Sequence, residues 1–240
     1  MRCEHCGTEL REDVCPACGA EYRPVCIRCQ APVPPGSTAC PVCGGEVLPG
    51  WNASREELER RGIHAFLPYA HEHNYDIYLG GNRDGSGNDF HNTVGYTGPI
   101  GEKLVLPGLA EGRPVYGIWN EFFCMGDEAI MTSDESVFRR MLPLKTVVVS
   151  NGIREAFTYS FFGCCGLETL ILPRTLKKFF YDFYDLLLDG VSPMANGFYK
   201  KDVCIRYRGS REEWERVAVT SRFQRYVEMG RIHLTFLAEE

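Results

Sequence analysis

Eight cysteines occupy the first 44 residues in four C-x-x-C pairs: Cys3 with Cys6, Cys15 with Cys18, Cys26 with Cys29, and Cys40 with Cys43. A C-x-x-C turn presents two thiolates to one ion, and two such turns complete the tetrahedral sulfur shell that zinc prefers. The gaps within the first two pairs and within the last two suit a short hairpin that brings two knuckles together. Gly7, Gly19 and Gly44 follow three of the turns, where the chain folds back so that amides can face sulfur. Redox C-x-x-C chemistry needs a strand-loop-helix setting, which this Pro- and Gly-rich stretch does not supply. Two ligand arrangements fit the spacing: neighbouring pairs together, or an interleaved set in which pair one meets pair three. Sulfur fills all four positions of each site in either case, so two structural Zn2+ ions are expected and no catalytic one.

Charge and composition narrow the setting. The 240-residue chain has a formal net charge of −6. Residues 1–50 carry four arginines, no lysine and six carboxylates, so a phosphate backbone would find little attraction there. A protein partner is the expectation, and a nucleic-acid-binding zinc-ribbon protein is the alternative. No run approaches the roughly 18 apolar residues of a spanning helix. The start, "MRCEHCGTEL", lacks the apolar core of a signal peptide. Twelve cysteines in that context point to reduced thiols and the cytoplasm.

The stretch "CEHCGTELREDVCPACG", followed by "CIRCQAPVPPGSTACPVCG", resembles the bacterial double zinc ribbon, with Gln30 where glycine is usual. That resemblance covers residues 1–48 and implies two zinc ions and an adaptor role. Residues 49–62 read as a Gly/Pro hinge and a short helix, with Ser54 and Glu57 forming a capping box and Gly62 ending the helix. A hinge implies that chelation unfolds residues 1–48 and leaves the remainder folded.

Residues 63–240 carry an eroded repeat. The run "VVVS" from Val147 and the run "LILP" from Leu170 start twenty-three residues apart. Superposing them sets Ile153 on Leu176 and Phe157 on Phe180. "LVLP" from Leu104 is an earlier relative, with Val115 in the place of Ile153 after a five-residue insertion, and "CIRY" from Cys204 a later one. Apolar matches at a fixed period indicate a solenoid. In that frame Cys164 is a buried repeat position and its neighbour Cys165 lies on the adjoining turn.

The segment "LKTVVVSNGIREAFTYSFFGCCGLETLILPRTLKKFF" is similar to the unit of BspA-like leucine-rich repeats, and "CIRYRGSREEWERV" to that family's terminal segment. This resemblance covers residues 93–217 and implies protein recognition. The expected fold class is therefore a small zinc-ribbon module of two four-cysteine knuckle pairs plus a short leucine-rich-repeat solenoid, α+β, with a helical C-terminal cap. Its parts are a leading cap at 63–98, repeats at 99–202 and a terminal segment at 203–240. There "SREEWERVAVTSRFQRYV" reads as one helix, capped by Ser210 and Glu213.

Few residues invite a catalytic reading. His71 and His73 in "AHEHNY" fall on one face of a strand, yet no further ligand is fixed by spacing. Asp84, Ser86 and Asn88 alternate as in a calcium loop, but Gly95 stands where an EF-hand needs glutamate. No nucleophile elbow, phosphate-binding glycine loop or H-E-x-x-H occurs. The expected function is non-enzymatic: a protein-interaction or adaptor protein.

Overall fold

The computed structural model describes residues 1–29, 31, 33–61, 63–64, 91–93, 95–96, 101–118, 143–157, 167–180, 203–219 and 221–238. Cys164, Cys165, His71, His73, Asp84, Ser86 and Asn88 lie outside them. In chain order the strands are β1 (Glu21–Cys26), β2 (Val47–Ala53), β3 (Ile63–His64), β4 (His91–Thr93), β5 (Gly95–Tyr96), β6 (Lys103–Leu106), β7 (Leu109–Ala110) and β8 (Arg113–Ile118). They continue with β9 (Thr146–Val149), β10 (Glu155–Phe157), β11 (Thr169–Leu172), β12 (Lys178–Phe180), β13 (Val203–Tyr207), β14 (Ala218–Val219) and β15 (Ile232–Phe236). The helices are α1 (Arg55–Arg61), α2 (Arg211–Trp214) and α3 (Ser221–Glu228).

From Arg113 onward the described strands alternate between two sheets. One sheet has the order β15-β13-β11-β9-β6, with every neighbour parallel. The other has the order β1-β2-β7-β8-β10-β12-β14, with β4 also beside β8, and is parallel from β8 to β14. Parallel strands call for cover on both faces, and in β9 Val147, Val148 and Val149 are all buried. Neither sheet closes into a barrel.

Register confirms the spacing read from the sequence. Leu104, Val147, Leu170, Ile205 and Leu234 stand side by side across five strands, and Phe157 stands beside Phe180. One offset differs: Leu170 faces Ile205, and Cys204 pairs with Thr169. A one-residue slip exchanges the faces of a strand. With Cys204 opposite Leu170, the buried Ile205 and Tyr207 would leave the core.

Two further expectations change. The C-terminal helix is divided: Ser210 caps the single turn α2, with both halves of the capping box present, and the chain then enters β14 before α3. The interruption lets the Ala218 amide donate to the Lys177 carbonyl at 2.8 Å and puts β14 beside β12. Trp214 and Phe223 still converge on Phe179, with ring centroids 6.4 and 5.3 Å from it and 5.7 Å from each other.

The hinge is a strand. Residues 47–53 form β2, antiparallel to β1 and, through Asn52 and Ala53, parallel to β7. Pro24 and Pro49 are directly opposed, so neither residue is asked for an amide hydrogen there. The ribbon hairpin thus continues the larger sheet through β7. At this seam the Trp51 amide donates to Ser150 Oγ at 2.8 Å, and Asn151 Nδ2 donates to the Pro49 carbonyl at 2.9 Å. A Cβ built on Gly50 or Gly108 would come within 2.1 or 1.6 Å of the Asn151 carbonyl oxygen.

Candidate metal centres

Each ribbon site assembles from two tight turns. In the first, the Cys3 amide donates to the Thr8 carbonyl and the Gly7 amide to the Cys3 carbonyl, at 2.8 and 2.9 Å. Cys15 with Ala20 and Gly19, and Cys40 with Gly45 and Gly44, repeat this pattern at 2.9 Å. Gly7, Gly19 and Gly44 take φ of 76°, 73° and 64°, the left-handed region that costs a side chain strain. At the third knuckle the Arg28 and Cys29 amides donate to Cys26 Sγ at 3.3 and 3.4 Å.

These turns gather the sulfurs into two groups: Cys3, Cys6, Cys15 and Cys18, and Cys26, Cys29, Cys40 and Cys43. Neighbouring pairs cooperate, and the interleaved arrangement is not formed. Within each group all ligand atoms lie within 4.8 Å of one another. Cys3–Cys18, Cys6–Cys15, Cys26–Cys43 and Cys29–Cys40 are each 3.5 Å apart. A tetrahedron with Zn–S bonds of about 2.3 Å has edges of about 3.8 Å, so both groups fit zinc. Two sites of four cysteines each suit two zinc ions.

The thiols respond unequally to their surroundings. Hydrogen bonding with Thr8 holds Cys6 down to about 6, and the Cys43 and Val42 amides hold Cys40 down to about 6. Burial, followed by neighbouring thiols, pushes Cys18 and Cys29 up to about 12. Four like charges do not ionise together without a cation. Zinc binding therefore expels protons and weakens as pH falls.

The surroundings tie both sites to the repeats. At the first, Tyr22 donates its hydroxyl to Cys3 Sγ at 3.5 Å and accepts from the Glu4 amide at 2.8 Å. The buried Glu4 carboxylate accepts from Arg208, which follows β13. His5 meets Trp51 edge-on at 4.2 Å. Burial, then Arg61 and Lys103, hold His5 down to about 3, so its neutral Nδ1 accepts from Arg61 at 3.3 Å.

The second site is held more firmly. Arg154, which leads into β10, is 6% exposed. Its guanidinium donates to the Ile27 and Arg28 carbonyls at 3.2 Å each, to the Cys26 carbonyl at 2.6 Å, and to the Cys29 carbonyl. One repeat side chain thus satisfies four consecutive carbonyls of a zinc knuckle, and its positive charge lies beside the thiolates. The eight cysteines were legible from spacing alone. Arg154, Glu4 and Arg208 were not, because "NGIREAF" gives Arg154 no local mark that separates it from a solvated side chain.

Among the described residues, no helix is long and apolar enough to cross a membrane. No curated protein and no solved structure matches the chain. Residues 3–44, which contain both sulfur groups, match the family model of the double zinc ribbon.

Proposed function

We propose that the chain is a non-catalytic protein-interaction protein, an adaptor in which two structural zinc ribbons brace one end of a short leucine-rich-repeat solenoid of the BspA-like kind. The observation that carries this reading is the closure of both four-cysteine sites. Four sulfurs leave no position for water or substrate, so the bound metal supplies cross-linking alone. The repeat part of the reading draws support from the alternation of strands between two parallel sheets, and from the matched steps at Val147 and Leu170 and at Phe157 and Phe180. Stacked units of this kind present extended surfaces suited to protein recognition. The net charge of −6 favours a protein over a nucleic acid as partner.

The test is affinity capture from lysate of the source cell, with the zinc-loaded full chain as bait and nuclease treatment before elution. A protein partner retained in fixed stoichiometry, and reconstituted from purified components, is the expected outcome. Capture that vanishes with nuclease, or catalytic consumption of a small molecule by the purified chain, overturns the reading.

A further inference from the structure

Where the second ribbon meets the repeats, a cleft of about 300 Å3 opens between the third knuckle, β12's approach and α2. Its walls carry four cations, Arg28, Arg174, Lys177 and Arg216, and one carboxylate, Glu213. That carboxylate is engaged: Arg174 Nε donates to Oε1 at 2.6 Å and the Ser210 amide to Oε2 at 3.0 Å. Arg174 also donates to Glu46 at 2.8 Å. Arg28, Lys177 and Arg216 are exposed, and among the described residues none of the three has a carboxylate within ion-pair distance.

Four cations against one carboxylate around one concavity run against the character of a chain with net charge −6. Like charges held together repel, and a bound anion relieves them. Partial burial of its stem, then the Arg154 charge, hold the Lys177 ammonium below the usual lysine range, against the opposing pull of Glu213 and Cys26. The thiolates of the second metal site add negative charge nearby, and Arg154 stands against them at the Cys26–Cys29 carbonyls. Leu176 and Tyr207 also line the cleft, but each is 1% exposed and offers almost no surface to a ligand. A monovalent carboxylate would leave much of the charge unmatched. A phosphoryl group brings nearly two charges and three acceptor oxygens, and guanidinium forks match it in geometry.

We propose that this cleft binds a phosphoryl group, with its oxygens received by Arg28, Lys177 and Arg216. The site goes beyond the adaptor reading and does not depend on it. Isothermal titration calorimetry of the zinc-loaded full chain at low ionic strength tests it, with phenyl phosphate and inorganic phosphate as probes. Phenyl phosphate is expected to bind saturably. The K177Q/R216Q double variant should weaken it about tenfold or more, because both side chains are exposed and neither supports the core. The R60Q/K145Q double variant, which removes two cations paired with Glu57 and Glu168, controls for net charge and should leave the affinity unchanged. Absence of saturable heat with both probes, or equal affinity in all three proteins, overturns the site.

Discussion

At the scale of single residues, Arg154 bears most on the second zinc ribbon. Its four carbonyl acceptors are backbone groups of the knuckle that holds Cys26 and Cys29, so removing the guanidinium orphans several at once. Arg154→Gln should destabilise the chain by about 3 kcal/mol, in the range for breaking a buried charged network. Arg154→Lys should recover only part of this, since an ammonium offers three donors without the planar fork. Urea unfolding of the three zinc-loaded proteins checks both expectations, and indistinguishable midpoints would remove Arg154 from this role.

At the scale of elements, the informative case is β2. Its sequence, "VLPGWNA", contains both residues that argue against a strand, which is why it reads as a hinge. The contradiction resolves through partners remote in sequence. Pro49 is tolerated because Pro24 opposes it and Asn151 takes its carbonyl, and Gly50 is required because the Asn151 carbonyl oxygen occupies the space of a side chain. Neither fact has a local signature. The register-matched strands were legible for the opposite reason: Leu104, Val147 and Leu170 bury side chains at recurring positions, so the apolar period carries the information within the run itself. The fourth strand was misplaced by one residue because Cys204 is as acceptable as Ile205 in an apolar pattern, and only the pleat distinguishes them. Gly108→Ala should cost roughly 3 kcal/mol or more, since the added methyl meets backbone that cannot turn aside as a side chain can. Ala in place of the exposed Gly101, which has open space around it, is the matched control. Equal melting temperatures for the two variants would show that the seam is looser than described.

At the scale of the whole molecule, the ribbon and the parallel strands that follow it share a sheet, a row of hydrogen bonds and a buried guanidinium. Chelation should therefore lower the melting temperature of residues 101–238 as well as unfolding the ribbons, in contrast to what a free hinge implies. Calorimetry with and without a strong chelator checks this, and an unshifted repeat transition would restore the picture of independent halves. The seam also bears on how such a protein could arise by recombination. A ribbon borrowed from another chain would have to bring a glycine to the place of Gly50 and four carbonyls to Arg154. The recipient would have to offer Ser150 and Asn151 in return. Parts joined under those terms are not interchangeable cassettes, because each carries hydrogen-bonding partners that only the other supplies.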